Sequence, residues 1–240
     1  MVKLGIIGAM TVEIETLKSQ MTDVVVSEHT SMTFFEGILE GLQVVLVVCG
    51  VGKVNAAICV QVLCDHFGIT HIVNTGVAGS LCAQLDIGDL VISTKAMYHD
   101  FDCHRLNPNY LIGQVPGLPV HAFTADPVLA EQAFNAANQV HAGHARMGII
   151  ASGDQFVCDK VQKEKIVSDT GALCTEMEGA AISHAAWRNG IPFVVIRAIS
   201  DKADNTAQMD YPTFEAIAAQ RCSAVTQLLA RNIAKKKAAD

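Results

Sequence analysis

Short, dense apolar runs alternate with amphipathic stretches along almost the whole chain. Val2–Ile7 and Phe193–Ile196 read as strands buried on both faces, as do the strands expected at His71–Thr75, around Asp89–Tyr98 and at Met147–Ala151. Val24–Cys49 reads as several strands punctuated by Gly37 and Gly41. Helical spacing appears at Thr11–Met21, Lys53–Phe67, Asp126–Val140, near Lys160–Ser168 and at Tyr211–Lys235, and a further helix opens after Glu178 with Ala180, Ala181 and Ala185. This βαβ-like alternation, with a hairpin-rich patch after the first helix, predicts one α/β domain over residues 1–240. Its central sheet is expected to be mixed and twisted, with helices on both faces. Asp102–Thr124 carries Pro108, Gly113, Pro116, Gly117 and Pro119, and an irregular stretch of that length is expected to be functional or to lie at an interface.

Composition narrows the function classes. Half of the 240 residues are hydrophobic, yet the strongest apolar run, Val44–Cys49, falls far short of the ~20 residues a membrane span needs. The first residues reach a Gly turn at Gly8 before a signal-peptide core could form, so a cytoplasmic protein is expected. Cys49, Cys59, Cys64, Cys82, Cys103, Cys158, Cys174 and Cys222 include no C-x-x-C pair and lie mostly in apolar runs, the pattern of reduced core cysteines. A net charge of −7 and a pI near 5.7 argue against a nucleic-acid partner. Lys235-Lys236-Lys237 reads as a solvated helix end.

The candidate chemistry lies where strands hand over to helices. Glu176 and Glu178 sit at the start of a helix, where free backbone N–H groups point outward, and Arg197 and Asp201 follow a buried strand at the edge where α/β sheets bind ligands. Each also has a plain structural reading: Asp201 as a cap of the following segment and Glu178 as a helix-start carboxylate. Gly8, Gly50, Gly52, Gly76 and Gly79 follow short apolar runs and allow a ligand close to backbone, although none completes a dinucleotide or phosphate-loop motif. His99-Asp100-Phe101-Asp102-Cys103-His104 matches no zinc spacing, and His141 and His144 suit a helix end as imidazolium.

Six blocks carry a family resemblance: Gly5-Ile6-Ile7-Gly8-Ala9-Met10 with Glu13; Gly50-Val51-Gly52-Lys53-Val54-Asn55-Ala56; Asn74-Thr75-Gly76-Val77-Ala78-Gly79; Ser152-Gly153-Asp154-Gln155-Phe156; Glu176-Met177-Glu178; and Ala198-Ile199-Ser200-Asp201. In this order they resemble the nucleoside phosphorylase/hydrolase superfamily and, within it, the 5′-methylthioadenosine/S-adenosylhomocysteine nucleosidases. The resemblance implies a three-layer αβα sandwich, no cofactor or metal, and hydrolysis of 5′-thio-substituted adenosines with release of adenine, in methionine salvage. It implies that Asp201 protonates N7 of the purine, that Glu178 binds the ribose hydroxyls with Met177 on the sugar face, and that Glu13 handles the attacking water with Arg197 close by. Phe156 would stack on adenine, and backbone groups of Val157 would read its edge. Ser200, Val77 and Gly79 belong to the same site, Val77 standing where the family pattern has Ser. Met10, Val51, Tyr211 and Phe214 would shape an apolar slot for the 5′-substituent, completed by the loop near residues 101–115 of a second subunit in a homodimer.

An N-glycosidic bond breaks with positive charge on the ribose and negative charge on the base, so an acid at the base and anions near the sugar suit the chemistry. The first loop offers Thr11, Glu13 and Glu15 but no arginine for a phosphate dianion, which favours water as the attacking group. A phosphorylase or futalosine-type hydrolase on the same fold, and a nucleoside-binding sensor without catalysis, remain the alternatives.

Overall fold

The computed structural model describes residues 2–239, and the side chains of residues 2–236. The strands are β1 (Lys3–Gly8), β2 (Thr22–His29), β3 (Met32–Leu39), β4 (Leu42–Val48), β5 (His71–Ser80), β6 (Leu90–Tyr98), β7 (Phe123–Thr124), β8 (Ala145–Ser152), β9 (Cys174–Glu176) and β10 (Phe193–Asp201). The helices are α1 (Thr11–Ser19), α2 (Lys53–Phe67), α3 (Pro127–Val140), α4 (Lys160–Thr170), α5 (Gly179–Arg188) and α6 (Ala207–Ala239).

All ten strands belong to one mixed sheet. Parallel pairs β1–β4, β1–β5 and β10–β5 form its centre, and the antiparallel β2–β3–β4 hairpins extend one side. On the other side β10 pairs with β6, β6 with β8, β8 with β9, and β9 returns to β5, so part of the sheet closes into a ring. Helix α6 packs on β5 and β10 together with α1 and α3, while α2 packs on α5 over β6, β8 and β10, giving the expected three layers with a mixed, twisted sheet. The ring closure has no counterpart in the apolar pattern, because β9 contributes only three residues to it.

Local differences follow from the glycines. Gly37 lies inside β3 rather than at a turn: a Cβ there would come within 2.7 Å of the Thr22 carbonyl, so the tight β2–β3 pairing needs its absence. The hairpin turns fall instead at Thr30-Ser31 and at Glu40-Gly41, all with positive φ. Strand β5 does not stop at Thr75 but runs through Gly76 and Gly79 to Ser80. Helix α6 begins one turn before Tyr211, carrying Pro212 within it. Lys235 and Lys236 are exposed at its end, and the side chain of Lys237 lies outside the described residues. His141 caps α3, but burial, with Arg221 and His144 nearby, holds its pKa below the usual value, which works against the expected imidazolium. No described helix is long and apolar enough to cross a membrane. All eight cysteines are free thiols, and burial pushes Cys49, Cys59, Cys174 and Cys222 up, so these four are inert in the core.

Candidate active site

The ends of β1, β5, β9 and β10 meet around one pocket of about 500 Å³. Glu13, Glu178 and Asp201 all line it, together with Met10, Val51, Val77, Gly79, Phe156, Met177, Ser200 and Tyr211.

Glu13 occupies the first turn of α1. Its Oε2 accepts from the backbone N–H groups of Ala9 (2.7 Å) and Met10 (3.0 Å), and its Oε1 accepts from that of Val77 (3.0 Å). The same carboxylate closes the helix start and faces the pocket. Burial raises its pKa, against the pull of Arg197 and of the three backbone donors. Gly76 makes room for it: a Cβ there would lie 2.9 Å from the Glu13 carboxyl carbon and closer still to Oε1.

Asp201 ends β10, just past a register shift between Ile199 and Asp201 that re-aims its side chain. Its Oδ1 accepts from Ala203 N–H (2.8 Å) and its Oδ2 from the Ser200 hydroxyl (2.9 Å). The first of these bonds requires Ala203 to adopt φ of +50°, a costly conformation for an L-residue. Burial raises the Asp201 pKa, and Asp210 and Asp204 add to the rise, while its two hydrogen bonds oppose it. Gly79 is the counterpart of Gly76, because a Cβ there would come within 2.7 Å of Asp201 Oδ1.

Glu178 opens α5, and its Oε1 accepts from Gly52 N–H at 2.8 Å. Gly52 has φ of +100°, open only to glycine, which lets its N–H face across the pocket. Burial raises the Glu178 pKa, and the neighbouring Glu176 adds to it. Glu176 itself spends Oε2 on the N–H groups of Glu178 (3.1 Å) and Gly179 (2.7 Å), capping α5, and pairs with Arg197 and the Ser152 hydroxyl.

Three sequence-predicted residues stand elsewhere. Arg197 is only 1% exposed and does not line the pocket; its guanidinium lies beneath, bonded to Glu176, Asn74 and the Ile196 carbonyl. Burial works against its charge, but Glu176, Glu13 and Glu178 together more than offset it and keep the guanidinium ionised. The Val157 side chain is buried among Leu81, Ala151 and Ile166, and the residue lines a smaller annexe shared with Phe156, Gly79 and Asp201. Phe214 is half-buried on α6 about one turn beyond Tyr211 and is not part of the lining. At the mouth, Phe156 (46% exposed) meets Tyr211 edge to face at 5.6 Å, opposite Val51 (47% exposed). The lining residues to which the sequence assigned no role are Ala9, Ala78 and Thr175, with Glu176 singled out only as a carboxylate at a helix start. All four lie inside or beside the glycine and acid motifs, but nothing in the type of the first three marked them as lining. The His99–His104 segment gathers no group of metal ligands among the described residues; Asp100 instead accepts from Lys53 Nζ at 2.5 Å and from Asp154 N–H at 2.9 Å.

Residues 3–232 match the sequence profile of the phosphorylase superfamily. The 5′-methylthioadenosine/S-adenosylhomocysteine nucleosidase of Staphylococcus carnosus is 38% identical over 223 residues, 92% of this chain and 96% of that protein. The enzyme of the same name from Halalkalibacterium halodurans is 40% identical over 215 residues, 89% of this chain and 91% of that protein. The crystal structure of the Neisseria meningitidis nucleosidase in complex with methylthio-immucillin-A superposes with a TM-score of 0.92 at 35% identity, covering 97% of this chain and 100% of that one. The chain belongs to the phosphorylase superfamily, in its 5′-methylthioadenosine/S-adenosylhomocysteine nucleosidase family.

Proposed function

We propose that this protein hydrolyses the N-glycosidic bond of 5′-methylthioadenosine and S-adenosylhomocysteine, releasing adenine and the 5-thioribose product. The observation that carries the choice of water over phosphate is the placement of Glu13. Its carboxylate already fills the backbone N–H groups of Ala9, Met10 and Val77, the donors that a glycine-rich loop would offer to an anion. Among the described residues no lysine or arginine lines the pocket, and four carboxylates do. A phosphate dianion would be repelled, whereas a water molecule beside Glu13 would be oriented and deprotonated.

In this reading the protonated Asp201 donates to N7 of the purine as the C1′–N9 bond breaks, so the bonding pair leaves with a neutral base. Water forms the new bond to C1′ and its proton passes to Glu13. The two carboxyls then exchange their proton states through solvent. The raised pKa of Asp201 supports a carboxyl that keeps its proton to higher pH than a surface aspartate, and that of Glu13 supports a base stronger than a surface carboxylate. Glu178 accepts from the ribose hydroxyls with Met177 against the sugar face, Phe156 stacks on the base, and Val157 and Ser200 border its edge. Gly79 keeps space for Asp201 beside the base. Arg197 acts from below by fixing Glu176 and balancing the acids. Met10, Val51 and Tyr211 receive the 5′-thio substituent, and Val77 lies beside the water.

The pocket draws on segments from Ala9 to Tyr211, which supports treating the chain as one catalytic domain. Val51, Val54, Ile58, Leu106 and Leu111 are exposed apolar residues of the pocket mouth, α2 and the long loop, and support a homodimer in which a partner's loop near residues 101–115 closes the slot. The free thiols are consistent with action in the cytoplasm, as a step of methionine salvage. Purified protein incubated with each nucleoside, with and without phosphate, is expected to release adenine at the same rate in both. Strict phosphate dependence with formation of a sugar 1-phosphate, or tight binding without adenine release, overturns the proposal.

A further inference from the structure

Away from the pocket, the turn after α3 meets the start of β6, and Asp89, His141 and His144 come together there. Backbone bonds fix all three: His141 N–H donates to the Ala137 carbonyl (2.8 Å), Leu90 N–H to the His144 carbonyl (2.8 Å), and Asp86 N–H to Asp89 Oδ2 (2.8 Å). One ligand atom from each side chain lies within 4.8 Å of the others. His144 Nδ1 is 2.8 Å from Asp89 Oδ1, and the two imidazoles are stacked at 4.0 Å with planes 8° apart. Nδ1 of His141 is buried and makes no hydrogen bond of good geometry, its one polar neighbour being the backbone of Gly88.

We propose that Asp89, His141 and His144 form a three-ligand site for a divalent transition-metal ion of the zinc class, with water completing its shell. Two imidazoles and one carboxylate suit zinc or cobalt and do not suit magnesium or calcium, which take oxygen ligands. Donors around a tetrahedral zinc ion stand about 3.3 Å apart, so binding would draw the ligand atoms together and turn the two imidazoles out of their stack to aim their lone pairs at one ion. The bond from Asp86 N–H to Asp89 Oδ2 holds the carboxylate from behind, as outer partners of metal ligands do. Arg221, engaged by the Gly88 carbonyl at 2.6 Å, opposes a second cation and makes the site weaker than a closed structural centre. The position has a consequence for β10. Gly88 N–H donates to the Ile199 carbonyl (2.7 Å) and Ile199 N–H to the Asp89 carbonyl (2.9 Å), so an ion here braces the strand end that carries Asp201 without touching the pocket.

Full-length protein free of any affinity tag is stripped with a chelator and titrated with Zn²⁺ by calorimetry and with Co²⁺ by visible absorption. One ion per chain, d–d bands of a low-coordinate cobalt centre, and a rise in melting temperature with Zn²⁺ but not with equal Mg²⁺ are expected. His144→Ala, at an exposed position, is expected to keep its fold and its adenine release while losing at least roughly tenfold in Zn²⁺ affinity together with the cobalt bands; Asp89→Asn is expected to lose affinity likewise. No binding of either ion, or binding undiminished in both variants, overturns the assignment.

Discussion

Gly76→Ala tests the placement of Glu13 through a residue with no chemistry of its own. The added Cβ would sit 2.9 Å from the Glu13 carboxyl carbon, whereas carbon atoms in ordinary contact stand about 3.5–4.0 Å apart. Strand β5 resists moving, because β10 pairs with it through Gly76, opposite Arg197, and β1 pairs with it up to Asn74. The carboxylate must therefore retreat by roughly 1 Å, which breaks its bond from Val77 N–H and leaves that buried donor empty at a cost of about 1–3 kcal/mol. A displacement of this size at a reacting group costs on the order of 100-fold in rate. The assay is steady-state adenine release alongside thermal melting, with Gly37→Ala as comparison. That second variant clashes with the Thr22 carbonyl inside β3, away from the pocket, and is expected to lose stability while the surviving folded protein keeps its kcat. Folded Gly76→Ala retaining more than about a third of wild-type kcat/KM would refute the idea that Glu13, held by these donors, manages the water.

Asp201→Asn keeps the acceptor for Ala203 N–H but cannot deliver a proton, so kcat is expected to fall about 10²–10⁴-fold with nucleoside affinity within a few-fold, read by turnover and calorimetry. In the wild type, kcat/KM is expected to fall toward acid as Glu13 gains a proton and toward alkali as Asp201 loses one, with both limbs above the ordinary carboxylate range; a flat profile would contradict these roles. Burial raises the folded pKa of Glu178 above its unfolded value, so its contribution favours folding below the unfolded pKa and is lost as pH rises through the folded pKa. Glu178→Gln keeps an acceptor for Gly52 N–H and is therefore expected to stabilise the free protein near pH 8, read as a higher melting temperature, and to change little near pH 4, while lowering kcat. Val77→Ser would add a hydroxyl beside the Glu13 water position and is expected to raise kcat by about 2- to 10-fold, the worth of one hydrogen bond; a fall would show that the apolar wall matters more.

Much of the architecture was legible because burial and periodicity agree. Lys53–Phe67 was readable to its observed ends since Gly52 and Gly68 bound it with positive φ. Where reading stopped short, the pocket was the reason. Gly76 and Gly79 interrupt the apolar run of β5 and look like a strand end, yet they are glycines because two carboxylates press against them. Glu176 was legible as a helix-start carboxylate, but its pairing with Arg197 was not. It binds Arg197 and the start of α5 across segments joined only by the folded sheet, and its type would serve equally on a surface. The depth of Arg197 was hidden for the same reason: a charged residue after an apolar strand predicts an exposed end, unless acids from other segments gather around it.

That gathering leaves the pocket deliberately unbalanced. Glu13, Glu176 and Glu178 share one buried arginine, and Glu176 holds it by direct contact, so the other two acids face the cavity with desolvated carboxyls and raised pKa values. A neutral nucleoside does little to relieve this. On the proposed mechanism a ribosyl group turning cationic would, and at an effective dielectric near 20 one ionised carboxylate about 4 Å away would contribute about 4 kcal/mol, on the order of a thousandfold in rate. Because the attraction appears only as charge develops, it acts on the transition state rather than on binding. On the proposed mechanism the same crowding of acids that destabilises the empty fold would discourage phosphate and favour the cationic sugar, giving the stability lost at Glu178 and the preference for water a single electrostatic origin.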